Sequence, residues 1–193
     1  MKPWLLPRLF ALAAMRQNCY LEPSVYPMQL VENFLNEIGI PVIEETITED
    51  TFLPGILIRN GTLVVDREKL LYPGDLLHEA GHIAVMAPEE RIAKAGNMSD
   101  DKEANVAAGE EIMAICWSYA ALAHLGLPPE YLFHPHGYKG ASEWYISQFT
   151  SGTYIGLPAL QWLGLCYDEK NAVTHGVPAY PHMIRWLREM PAF

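Results

Sequence analysis

Residues 74–86, Gly74-Asp75-Leu76-Leu77-His78-Glu79-Ala80-Gly81-His82-Ile83-Ala84-Val85-Met86, decide how the rest of the chain is read. At the centre stands His78-Glu79-Ala80-Gly81-His82. With seven His and seventeen Glu in 193 residues, roughly one shuffled sequence in fifty would contain H-E-x-x-H by chance, so the motif carries weight. On a helix, residues four apart project from one face, one turn above the other. Two imidazoles so placed reach a single ion at about 2.0–2.1 Å. Glu79 points about 100° round the helix, where a carboxylate can take a proton from a water activated by the metal without itself being a ligand. Ala80 and Gly81 leave the backbone bare, so a second element can pack closely. The flanks, Leu76, Leu77, Ile83, Ala84, Val85 and Met86, are apolar. The two His and the Glu therefore line a cleft or lie buried, where polar groups need partners.

The stretch sits in a helix that the sequence starts at Asp75, a plausible N-cap after Pro73-Gly74, and ends near Ala87, because Pro88 cannot continue it. Upstream, residues 28–38 place Leu30, Val31, Phe34, Leu35 and Ile38 at helical spacing, and Gly39 and Pro41 stop them. PVIEETI at 41–47 reads as a strand. GILIRNGTLVVD at 55–66 reads as a hairpin, since Asn60-Gly61 supplies the two positive-φ residues of a type I′ turn. Downstream, residues 88–101 read as a mobile polar connection, and about 100–125 as a long helix stopped by Gly126. The last third, with FHPHGYKG, SEWYISQF, GLPALQWLGL and PHMIRWLREM, reads as short helices joined by tight loops. The expected architecture is one α+β domain over 1–193: a helical arm at 1–27, a core at 28–126 with a small antiparallel-containing sheet, and a mainly helical cap at 127–193.

Bulk properties narrow the partners. A formal charge of −10 with no dense Lys/Arg tract argues against nucleic acid. Cys19, Cys116 and Cys166 form no C-x-x-C pair and read as buried free thiols of a reducing compartment. The N-terminal MKPWLLPRLFALAAMRQ has an apolar run of only seven residues between Arg8 and Arg16, a surface-packed helix in preference to a signal peptide. No apolar stretch is read as approaching the roughly 20 residues of a membrane span. The expectation is a cytoplasmic protein with no membrane partner.

On HEAGH and the elements around it, the sequence resembles the zincin metallopeptidases and, within them, the minimal zincins of the ImmA/IrrE type. The likeness covers about residues 28–125 and includes Ala104-Asn105-Val106-Ala107-Ala108 and Met113 on the second helix. The resemblance implies a Zn²⁺-dependent peptidase acting on a peptide or protein substrate, which pairs with one strand of the 56–66 hairpin.

A catalytic zinc needs a third protein ligand. The extended form H-E-x-x-H-x-x-G-x-x-H is excluded, because Val85 and Pro88 stand where its Gly and third His belong. Helical geometry places Glu111 on a stripe with Ala104, Ala108, Ala114, Ile115, Ser118 and Leu122, a lone carboxylate on a surface small enough to pack against the HEAGH helix. Glu111 is therefore the leading third ligand beside His78 and His82. Asp101 is the alternative that the resemblance implies when Asn105 is aligned with the family's Asn. Glu103, which fits a capping box with Asp100, remains open, as do Glu110, His134 and His136.

A di-iron carboxylate bundle also uses Glu-x-x-His, but needs two such motifs on separate helices, and no second one occurs. Beyond the ligands, His134, His136 or Tyr138 of FHPHGYKG could donate to an oxyanion, against a plain polar loop. Trp117, Trp144, Tyr145, Tyr154 and Trp162 read as core, His175 and His182 as solvated, and His124 as complementing a helix C-terminus. The reading is a zinc hydrolase with Glu79 as general base. Its rival is a binding or regulatory module that uses the metal structurally.

Overall fold

Local patterns account for most of the elements. The computed structural model describes residues 25–93 and 104–191. The expected arm at 1–27 and the candidates Asp101 and Glu103 lie largely or wholly outside them. Helix α1 (Val25–Glu37) buries Val31, Phe34 and Leu35 at the spacing expected of one helical face, and Gly39, at φ +92°, ends it. Strand β1 (Val42–Glu44) follows, then β2 (Ile56–Arg59) and β3 (Thr62–Val65). Asn60 and Gly61, at φ +51° and +73°, make the tight turn between β2 and β3. The sheet order is β1-β3-β2, with β1 parallel and β2 antiparallel to β3. β1 is shorter than PVIEETI suggested. After Glu45 the chain leaves the ladder, and the Ile47 amide donates to the Asp66 carboxylate instead.

The HEAGH segment is helix α2 (Asp75–Val85), which ends two residues before the expected Ala87 because Met86 is extended. Asp75 does not cap it. Its carboxylate bonds to His134 across the molecule, leaving Gly74 at the N-cap position without a side-chain cap. Gly74 is required there, since an added Cβ would strike the Tyr131 carbonyl. Pro88 opens a further short helix, α3 (Pro88–Ala93), where a loop was expected. Proline suits a first helical position, and the Glu90 side chain accepts from the Ala87 amide just before it.

Helix α4 (Ala104–Leu125) crosses α2 and forms the main packing contact of the molecule. Trp117, Ala120, Ala121 and Leu122 are buried in the common core with Leu76, Leu77, Ile83 and Ala84 of α2. The sequence expectation of no membrane-length apolar stretch needs correction. By length and composition, Val106–Leu125 is apolar enough to cross a membrane. Here that apolarity serves the contact with α2 and the cap.

The cap consists of α5 (Pro129–Leu132), a 3-10 turn (Tyr138–Gly140), α6 (Ser142–Thr150), α7 (Leu157–Trp162) and α8 (Glu169–His175). Long-range hydrogen bonds fasten its tail to the core. Trp117 Nε1 donates to the Trp186 carbonyl at 2.8 Å, and Tyr180 donates to the Cys116 carbonyl at 2.7 Å. Cys116 and Cys166 are buried free thiols, whereas Cys19 lies outside the described residues. Of the aromatics read as core, Trp117 is fully buried, while Trp144 and Trp162 are exposed.

Candidate metal centre

The motif's geometry follows from helix α2 itself. His78 and His82 share a face, their rings nearly perpendicular with centroids 4.8 Å apart, and their Nε2 atoms approach to 3.2 Å. Glu79 lies beside them, and the donor atoms of His78, Glu79 and His82 fall within 4.8 Å of one another. This group could hold a metal ion.

Helix α4 brings Glu111 to the same point. One carboxylate oxygen lies 3.5 Å from His78 Nε2 and the other 3.2 Å from His82 Nε2. Close helix packing makes the approach possible. A Cβ at Gly81 would sit 2.6 Å from the Ala114 carbonyl and 2.8 Å from Ser118 Oγ. Ser118 Oγ in turn lies 2.8 Å from the Leu77 carbonyl, to which it can donate across the same contact. Ala114 and Ser118 belong to the stripe of α4 that carries Glu111.

The donor spacing can be compared with an ion. Ligand atoms at about 2.05 Å around a tetrahedral centre are separated by about 3.3 Å. The imidazole–imidazole and imidazole–carboxylate separations bracket that value, and nitrogen with carboxylate oxygen is a donor set suited to divalent metals. Both rings turn Nε2 towards Glu111. Their Nδ1 atoms are buried with no hydrogen-bond partner among the described residues. The acceptor that commonly braces the far nitrogen of a ligating histidine is thus not found among them. Packing orients the rings instead, with Tyr138 edge-on to His78 at 5.7 Å.

Electrostatics divide the group. Burial and the neighbouring His82 hold His78 down to about 4, a neutral imidazole with a free lone pair. For His82, burial opposes the charge but is outweighed by the hydrogen bond it donates to Glu111 and by the charges of Glu79, Glu111 and Glu110, so its pKa is raised. Glu111 shows the converse: burial pushes up, while His82 and His78 pull the carboxyl below its usual range. Burial raises Glu79 to about 7, with Glu111 and Asp75 adding to the effect against His82. A carboxyl poised near neutrality is suited to general-base work.

The remaining histidines separate clearly. His134 is buried, not part of a polar surface loop. Its Nε2 lies 3.0 Å from Asp75 and its ring stacks on Tyr72 at 3.7 Å. It is therefore committed to Asp75, one turn below Glu79. His136 is exposed and stacks loosely on Tyr72. Glu110 acts on His82 as a charge. His124 lies in the last turn of α4 against Phe34 and Trp186. His175 is exposed but stacks on Tyr167.

Sequence reasoning missed the role of Asp75. The available signal was its spacing, because a residue four before Glu79 shares its helix face. No protein-family model matches the chain, and no curated protein or solved structure matches it either.

Proposed function

We propose that the chain is a zinc-dependent hydrolase of the HExxH type, with a zincin-like core, acting on amide bonds in peptide or protein substrates. The observation that carries this reading is the convergence of His78, His82 and Glu111 at donor spacings suited to one tetrahedral ion, with Glu79 alongside. His78 and His82 would hold the ion through their imidazoles, and Glu111 through its carboxylate. A zinc ion there supplies Lewis-acid polarisation of the substrate carbonyl and lowers the pKa of a water molecule.

The chain's own groups carry the protons. Glu79 takes the proton from the attacking water as the new C–O bond forms and the carbonyl π pair moves onto oxygen. When the C–N bond breaks, Glu79 returns that proton to the departing amine. The same carboxylate thus acts first as base and then as acid. Strand β2 is an edge of the described sheet and antiparallel to its neighbour, the kind of strand with which an extended peptide can pair.

The test is Glu79→Gln in the full chain, with zinc content measured beside hydrolysis of a casein or mixed-peptide substrate. Retained zinc with a loss of about a thousandfold or more in rate is the expected result. Undiminished hydrolysis in that variant rejects the mechanism. A wild-type protein that binds zinc stoichiometrically yet hydrolyses nothing is a binding module instead.

A further inference from the structure

Tyr138 occupies an unfavourable position beside the metal group. Both Tyr138 and Lys139 have φ +54°, two successive non-glycine residues in the left-handed region. Such backbone strain persists only where surrounding contacts over-determine it. The Tyr138 ring meets His78 edge-on, and its hydroxyl is buried without a partner among the described residues. Burying an unpaired hydroxyl is a second destabilising feature at the same residue. Tyr180, by contrast, has a fixed acceptor in the Cys116 carbonyl. Tyr131 also buries an unpartnered hydroxyl, but it feels Glu32 and not the metal group.

The surroundings show what holds Tyr138 there. His134 is fixed to Asp75 of α2, its carbonyl accepts from Ser142 Oγ at 2.6 Å, and Tyr72 covers its face. Gly137 lies against the same ring, where a Cβ would come within 2.9 Å of it. The segment carrying Tyr138 is thus built outward from the helix that bears the HEAGH motif.

We infer that Tyr138 is a catalytic hydrogen-bond donor whose hydroxyl binds the substrate's carbonyl oxygen and stabilises the negative charge that develops there as water adds, with Asp75 and His134 as positioning residues. The inference rests on the hydrolase reading above. Tyr138 exchanges no proton: it lends a hydrogen bond while Glu79 carries the proton from water to amine. The strain and the missing partner then have one cause, a donor kept free for the reaction.

The experiment uses the zinc-loaded full chain and Tyr138→Phe, which keeps the ring against His78. The probe is an Ala–Ala phosphonamidate, whose tetrahedral P–O⁻ mimics the developing oxyanion. Zinc content is expected to be unchanged and the unfolding midpoint equal or higher. Affinity for the phosphonamidate is expected to fall about a hundredfold, with kcat falling in parallel and KM nearly constant.

A variant that binds the probe as tightly as wild type overturns the inference and leaves the hydrolase reading standing. So does one that loses stability with probe affinity intact, because the hydroxyl is then structural. Wild-type protein that takes up neither zinc nor probe removes both. His134→Asn is expected to weaken the probe as well, and to add little on top of Tyr138→Phe, because both act through one hydroxyl. Fully additive losses reject the positioning role.

Discussion

The role proposed for Glu79 sets two requirements that oppose each other. Burial makes its charged form costly and lifts its pKa to about 7, yet a base must be ionised to act. In the metal-free protein this has a definite sign. A carboxyl whose folded pKa lies above its unfolded value of 4.5 contributes no penalty below that pH, and the fold loses stability as pH rises from there through 7. A shift of that size corresponds to on the order of 3 kcal/mol at pH 8. Gln keeps the shape and removes the titration. In chelator, Glu79→Gln is therefore expected to be more stable than wild type at pH 8 by on the order of 2 kcal/mol, with the difference closing below pH 5. His78, held down to about 4, works in the other direction on acidification, but it does so in both proteins and drops out of the comparison. Urea unfolding at the two pH values checks this. An equal difference at both pH values places the Glu79 carboxyl in water, not in a buried cleft.

Between α2 and α4, one missing side chain sets the distance. Alanine is better than glycine in a helix by about 1 kcal/mol, which by itself favours Gly81→Ala. Here the added carbon meets the Ala114 carbonyl and Ser118 Oγ at under 3 Å, and overpacking of that kind costs about 1–3 kcal/mol. The clash wins, so Gly81→Ala is expected to lower stability by about 1–2 kcal/mol and to weaken zinc binding by moving Glu111 away from the imidazoles. Gly109 of α4 is the control: a Cβ there meets nothing within 4 Å, so Gly109→Ala is expected to gain up to about 1 kcal/mol and leave zinc affinity alone. Denaturant unfolding with zinc titration of the two variants separates the outcomes, and equal behaviour of the pair contradicts close packing at Gly81. The same elements show what a sequence can and cannot convey. The pairing of His78 with His82 and the stripe joining Glu111 to Ala114 and Ser118 follow from helical period alone, as the β2–β3 turn follows from Asn60-Gly61. The choice made by Asp75 does not. A carboxylate at a helix start can cap its own backbone or reach a distant partner, and here the partner, His134, lies 59 residues away. Pro88 indicated where α2 stops to within two residues, but not what fastens its end. Arg91 donates to the carbonyls of Ile83, Met86 and Arg188, and Arg188 reaches those of Met190 and Pro191. Those contacts join α2 to the chain's last turn over about a hundred residues, beyond any local pattern.

Across the whole molecule, the proposed ligands come from the two helices that make the main packing contact of the core, so metal binding there would share a contact with folding. His78 and His82 lie on α2 and Glu111 on α4, and the unfolded chain has no reason to bring them together. An ion held by the folded state alone stabilises it by RT ln(1 + [L]/Kd), about 2.7 kcal/mol at a hundredfold excess over Kd. For a chain of this size, each kcal/mol moves the midpoint by about 2–4 °C, so zinc is expected to raise the unfolding midpoint by about 5–10 °C. EDTA should reverse the rise. His82→Ala, which removes a ligand from α2, should abolish it, and Glu111→Ala should shrink it by weakening affinity from the α4 side. Thermal scans across a zinc series check all three, because the rise must grow with the logarithm of free zinc and not level off at one equivalent. A midpoint indifferent to zinc, or one that His82→Ala leaves responsive, shows that the ion is held elsewhere. The convergence of His78, His82 and Glu111 would then be an arrangement of the core alone.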